Sequence, residues 1–138
     1  MEKLIEVKNL KTFFYTEAGV AKAVNNISFD ILKGEVLGIV GESGSGKSVT
    51  SLSINRLIPD PPGKIVSGQI LYNGMNLLDL SYDEMSKYRG SHISMIFQEP
   101  MTSLNPVLKI STQMNEILMH HDGMSEAEAT RKSIEMLH

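Results

Sequence analysis

In the stretch GESGSGKSVT, Gly41–Thr50, three glycines and three serines surround one lysine, directly after the apolar run Leu37-Gly38-Ile39-Val40. Gly41, Glu42, Ser43, Gly44, Ser45, Gly46, Lys47 and Ser48 fit the spacing G-x-x-x-x-G-K-[ST] of a phosphate-binding loop. Glycines let the backbone curl so that successive N–H groups converge on one anion site. A helix that follows adds its unpaired N–H groups and the positive end of its dipole. Lys47 is then placed to reach the β- and γ-phosphates of a nucleotide, through a charge-assisted hydrogen bond worth roughly 1.5–3 kcal/mol. Ser48 supplies the hydroxyl that such sites give to Mg2+, the ion that bridges the same phosphates.

Other chemistries compete for these residues. Gly44-x-Gly46 begins the dinucleotide pattern G-x-G-x-x-G, but Val49 stands where the third glycine belongs. GTPases and small-molecule kinases use the same loop. The guanine-reading pattern Asn-Lys-x-Asp is absent, since Asn76-Leu77-Leu78-Asp79 lacks its lysine, which favours an adenine nucleotide. Glu99 follows an apolar run as a catalytic acid would, but Gln98 precedes it where a Mg2+-binding Asp would be, so Glu99 reads as a surface acid. His120 and His121 are adjacent, point to different sides of a helix and have no third ligand in the sequence; they read as solvated. Met114, Met119, Met124 and Met136 read as core filling rather than as an adaptable docking surface.

The loop needs a strand before it and a helix after it. Val36–Val40 reads as a buried strand, and Val49, Leu52, Ile54 and Leu57 give a helical face that ends at Pro59 and Asp60-Pro61-Pro62-Gly63. Leu4–Val7, Ala23–Phe29 and Gln69–Tyr72 read as further strands, the second followed by a turn at Lys33-Gly34-Glu35 and the third closed by Asn73-Gly74. A small antiparallel layer beside an α/β part is expected. Ser81 with Glu84 has capping-box spacing for a short helix carrying Met85 and Tyr88 and ending at Gly90. His92–Phe97 reads as a second buried strand, followed by a loop Gln98–Pro106. Ile110, Met114, Ile117 and Leu118 mark another helix. Ser125 with Glu128 caps a last one, whose face is Ala127, Thr130, Ile134 and Leu137. That helix is expected to run on at His138, as in an N-terminal piece of a longer protein.

The 138 residues, 41% hydrophobic and 21% charged, suffice for one domain with a core. A net charge of −3 without clustered Lys and Arg argues against a nucleic-acid partner. The chain has no cysteine, which fits a reducing compartment. No run approaches the roughly 20 apolar residues that span a bilayer, so any membrane connection is expected to go through a partner.

Four longer stretches, EVKNLKTFF, ISFDILKGEVLGIVGESGSGKS, IPDPPGKIVSGQILYNGMNLLDL and ISMIFQEPMTSLNPVLKI, resemble the ATP-binding subunits of ABC importers, in the dipeptide/oligopeptide (and nickel) branch. The resemblance implies an α/β P-loop NTPase core, incomplete here, with an antiparallel β subdomain and the start of a helical subdomain. Residues 1–98 would be the β subdomain plus core, and 99–138 the Q-loop and the beginning of the helical part. It implies ATP and Mg2+ as cofactors, with Ser48 and Gln98 on the metal. Gln98 falls at the glutamine of the Q-loop, and Phe14, five residues after Asn9, at the aromatic that stacks on adenine; Phe13 and Tyr15 flank it. Implied partners are transmembrane permease subunits, a second ATP-binding subunit in a head-to-tail dimer and, indirectly, an extracytoplasmic substrate-binding protein. The implied place is the cytoplasmic face of the membrane.

The family's LSGGQ-like signature, its Asp-Glu pair after a second apolar strand and its switch histidine do not occur in the 138 residues. Without them nothing positions and activates a lytic water, so no catalytic residue is assigned. Two expectations follow: the energy-coupling ATPase subunit of a peptide importer, or a truncated nucleotide-binding or docking module without turnover.

Overall fold

The computed structural model describes residues 2–99 and 103–138, so the expected loop Gln98–Pro106 lies partly outside the described residues. The chain forms two compact units, Met1–Met85 and Ser86–His138.

The first unit is built on a four-stranded antiparallel sheet of order β2-β1-β3-β4. Its strands are β1 (Lys3–Thr16), β2 (Gly19–Leu32), β3 (Gly63–Tyr72) and β4 (Met75–Asn76). The Asn73-Gly74 turn joins β3 to β4 with both residues at positive φ, as that hairpin demands. Along β1 the buried positions are first Ile5 and Val7, then Leu10 and Thr12. The change from odd to even positions occurs at a register shift between Val7 and Leu10, where Asn9 has φ 49° and its N–H donates to Ser28 Oγ at 2.8 Å. One inserted residue thus reverses which side chains face which side of the sheet. Val7, Leu10, Val24, Ile70 and Leu77 form the core with Met85.

Helix α1 (Lys47–Ile54) crosses this unit directly after the glycine loop. It is shorter than its expected face, because a Schellman motif closes it: Arg56 N–H donates to Ser53 O at 3.0 Å and Leu57 N–H to Leu52 O at 2.8 Å. Arg56 stands at the left-handed position, φ 52°, where glycine is usual, and its guanidinium donates to the Leu77 and Leu80 carbonyls. The buried side of α1 is Thr50, Ser53 and Ile54 rather than an all-apolar stripe. Helix α2 (Tyr82–Tyr88) starts at the reciprocal Ser81–Glu84 box.

Two expected strands are not strands. Val36–Val40 has no regular structure and pairs with no strand, with Val36 97% and Val40 93% exposed. His92–Phe97 has one isolated bridge, Ile93 to Arg89, and Ile96 is 92% exposed. Both segments have the composition of parallel strands buried on two faces. Such strands form only against neighbours, and among the described residues none pairs with them.

The second unit holds the antiparallel pair α3 (Ile110–Asp122) and α4 (Glu126–Met136). The Ser125–Glu128 capping box starts α4. α4 is helical to Met136, and its C-cap Leu137 keeps right-handed helical backbone angles, φ −91° and ψ −6°. The seam is polar: Asn115 Nδ2 donates to Thr130 Oγ1 at 2.7 Å, and Ser133 Oγ donates to Asn115 Oδ1 at 2.8 Å beside buried Ala129. The expected apolar stripes consequently turn outward, leaving Ile110, Ile117, Ile134 and Leu137 exposed. Met119 and Met136 are exposed too and fill no core, whereas Met85 is fully buried.

Candidate functional site

The glycine loop has the geometry its spacing implies. Gly44 and Gly46 have φ 81° and 91°, which turns the chain back on itself, and Gly46 is the N-cap of α1. Gly46 also packs on β2: a Cβ there would lie 2.3 Å from the Ala23 carbonyl oxygen. A Cβ on Gly41 would lie 2.5 Å from the Ser45 hydroxyl oxygen, so a side chain there would have to displace that of Ser45.

Lys47 reaches back over this backbone. Its Nζ donates to the Gly41 and Glu42 carbonyls, both at 2.7 Å, while Ser45 Oγ is 3.4 Å away. Two protons of the ammonium are thus fixed, and the third is only weakly engaged. The charge is held at the mouth of the loop by the chain itself. Glu42, Ser43, Ser45 and Ser48 are exposed, with the Ser48 hydroxyl on the first turn of α1. Beneath the loop lies an open cleft of about 480 Å3, lined by Phe29, Ile39, Gly41, Gly46, Lys47 and Thr50 among others.

Helix α1 carries a set of hydroxyls that sequence reading passed over. Thr50 Oγ1 donates to Gly46 O at 2.9 Å, Ser51 Oγ to Lys47 O at 3.4 Å and Ser53 Oγ to Val49 O at 2.7 Å. Ser53 also meets Thr12 of β1. The run Thr50, Ser51, Ser53 directly after the lysine is the signal that could have disclosed them, because hydroxyls inside a helix bond the carbonyl four residues back.

Phe14 is half-buried on the same face of β1 as Thr12, beside Ile58, with its ring edge 2.8 Å from where a Gly63 Cβ would stand. Phe13 has the Lys22 ammonium 5.8 Å from its ring centre, and Tyr15 is 50% exposed. In the second unit Gln98 and Glu99 are exposed and line an open hollow with Phe97 and Ser103. His120 and His121 pack edge to face, and His121 lies against Gly90 rather than being only solvated.

The loop and its lysine stand directly before the N-terminus of α1, and comparison with known proteins gives them a context. The ABC transporter family model matches residues 24–138. The chain belongs to the ABC transporter family. It is 50% identical, over 99% of its length, to the dipeptide transport ATP-binding protein DppD of Lactococcus lactis. It is 49% identical over 97% to the probable peptide ABC transporter ATP-binding protein y4tR of Sinorhizobium fredii, and 46% over 99% to the oligopeptide transport ATP-binding protein OppD of Escherichia coli. It covers 39%, 40% and 40% of these relatives, so it spans about two fifths of their length. The solved cassette of the bacterial ABC transporter MJ0796, a dimer, superposes with TM-score 0.80 at 28% identity, over 95% of this chain and 54% of that one. A second structure of MJ0796 holds ADP and Pi. The ABC cassette fold is therefore established for this chain, and the family is one that binds nucleotide. Among the described residues no helix is long and apolar enough to cross a membrane.

Proposed function

We propose that the chain is the nucleotide-binding part of the energy-coupling subunit of an ABC transporter importing peptides, and that it binds Mg-ATP at Gly41–Ser48. The observation that carries this reading is the Lys47 ammonium held by the Gly41 and Glu42 carbonyls directly in front of the α1 N-terminus. Backbone N–H groups from Gly44 to Ser48 supply the donors, and α1 adds its dipole. Lys47 contributes the one full positive charge of the loop.

The residues suit Mg2+ as well. The exposed Ser48 hydroxyl stands on the first turn of α1 beside Lys47, and Mg2+ in phosphate sites takes one or two protein oxygens while phosphate and water supply the rest. When bound, the ion neutralises and bridges the terminal phosphates. Gln98 would offer its amide oxygen to the same ion, and Phe14 a ring face to adenine. Residues 1–98 are assigned to the β subdomain and core, and 99–138 to the start of the helical subdomain. Peptide cargo, permease subunits, a second ATP-binding subunit and a place at the cytoplasmic membrane face are part of this proposal, supported by the peptide-transport relatives and the dimeric cassette.

A second reading has its own support. The 138 residues hold no signature and no Asp-Glu pair after a second apolar strand, and neither Val36–Val40 nor His92–Phe97 joins the sheet, which favours binding without turnover for these 138 residues. One titration tests both: labelled Mg-ATP against the chain and Lys47→Ala, with phosphate release followed in parallel. Saturable binding lost in Lys47→Ala, without release above that variant, is the expected outcome. Absence of binding in both would refute the loop's assignment, and Lys47-dependent release would refute the second reading.

A further inference from the structure

A line of hydrogen bonds runs from the interior of the sheet to the glycine loop. Thr12, fully buried on β1, lies 2.8 Å from Ser53 Oγ on α1. Ser53 has one hydroxyl proton and directs it to the Val49 carbonyl at 2.7 Å, so Thr12 is the donor across the contact. The Val49 carbonyl shares a peptide unit with Thr50 N–H, which donates to the Gly46 carbonyl at 2.8 Å. The Thr50 hydroxyl adds a second bond to that carbonyl at 2.9 Å. The Gly46 carbonyl shares its own peptide unit with Lys47 N–H, the first N–H of α1, which has no acceptor within the helix.

The order is therefore Thr12 O–H, Ser53 O–H, peptide 49–50, peptide 46–47 and the Lys47 N–H at the loop. A carbonyl that accepts a bond shifts its amide toward the charge-separated resonance form and makes its N–H a better donor. Packing does not require these hydroxyls. Thr12→Val with Ser53→Ala would leave no polar atom unsatisfied, because Val49 O keeps its helical partner, and removing both members of such a pair is close to neutral for stability.

We infer that Thr12 and Ser53 are positioning residues of the phosphate site, which aim and strengthen the Lys47 N–H for a polyphosphate ligand from the far side of α1. The inference rests on the nucleotide reading of the loop and adds to it two residues that touch no ligand.

The test is calorimetric binding of Mg-ATP and Mg-tripolyphosphate to the chain and to Thr12→Val, Ser53→Ala, the double variant, Thr12→Ser and Lys47→Ala, each checked by thermal melting. Chain polarisation of about 10–30% per bond, diminishing along the line, predicts a loss of at most about two-fold for Ser53→Ala and a smaller one for Thr12→Val. The double variant loses no more than the larger single, because both cut one line. Thr12→Ser restores the parent value, and the loss is the same for ATP and tripolyphosphate because it enters at phosphate.

Parent-like binding in Thr12→Val and Ser53→Ala overturns the inference while leaving the loop's assignment intact. So does a loss in Thr12→Ser equal to that in Thr12→Val, or a loss confined to ATP. Should Thr12→Val not fold, Ser53→Ala decides by the same criteria. A parent that shows no Lys47-dependent binding of either ligand overturns the nucleotide reading and this inference together.

Discussion

Gly44 and Gly46 both have positive φ, yet their surroundings differ in a way that separates conformation from contact. An added Cβ at Gly44 meets nothing within 4 Å, whereas at Gly46 it would press on the Ala23 backbone. Gly44→Ala therefore carries only the left-handed strain of a non-glycine residue, about 1–2 kcal/mol. Gly46→Ala carries that strain and must also push α1 off β2, which moves every N–H of the first turn. We expect Gly44→Ala to lower the urea midpoint modestly and keep Lys47-dependent ATP binding, and Gly46→Ala to lower the midpoint further and abolish binding. Equal effects of the two substitutions would mean that the contact with Ala23 sets nothing at the loop. Gly46 was legible in the sequence as part of the pattern, but its partner was not, because Ala23 lies in a strand with no chemical mark on it.

At the level of elements, local chemistry was readable and pairing was not. The Asn73-Gly74 turn and the boxes at Ser81–Glu84 and Ser125–Glu128 depend on residues three or fewer apart, and all three form as expected. Val36–Val40 and the α3–α4 seam depend on what lies opposite, and there the sequence pattern misled. The β1–β2 pairing shows the same dependence on neighbours. Glu6 stands directly opposite Asp30, two like charges whose juxtaposition alone is unfavourable. Lys3 bonds both, at 3.1 and 2.8 Å, and Lys8 bonds Glu6 at 3.1 Å. Hydrogen bonds to Asp30 and Glu6 raise the Lys3 ammonium above its ordinary 10.5, and those from Lys3 and Lys8 lower the Glu6 carboxyl below 4.5. The Glu6 contribution to stability is complete above pH 4.5 and is lost as pH falls through its lowered folded value. The Lys3 contribution is complete below pH 10.5 and is lost as pH rises through its raised folded value. Urea midpoints measured against pH should therefore fall on both sides of a plateau, with Lys3→Met lacking the alkaline limb due to Lys3 and 1 M salt flattening both. A Lys3→Met profile parallel to the parent at both ends would show that these contacts do not act in solution.

For the whole molecule, the deciding feature is where apolar surface lies. Val36, Val40, Ile96 and Val107 are each at least 85% exposed, and the first three lie in segments that are not paired as strands. Segments of strand-like composition that pair with nothing are open to pairing with another chain, and each apolar side chain buried on association contributes roughly 1.5 kcal/mol. The net charge of −3 offers little repulsion against this. The 138-residue chain should then self-associate through Val36–Val40 or through the region around Ile96. Sedimentation velocity between low and high micromolar concentration should show the average mass rising. Val40→Lys and Ile96→Lys, which set a charge in the middle of each segment, should hold it near 15.3 kDa. Ile96 lies far along the chain from the Gly41–Ser48 loop, so Ile96→Lys should keep ATP binding and separate association from ligand, whereas Val40 lines the cleft beneath the loop. A mass independent of concentration in the parent would mean that the exposed segments find cover within the chain in solution. A mass that rises equally in the lysine variants would move the contact to the outward faces of α3 and α4, where Ile117, Ile134 and Leu137 are the next apolar side chains available.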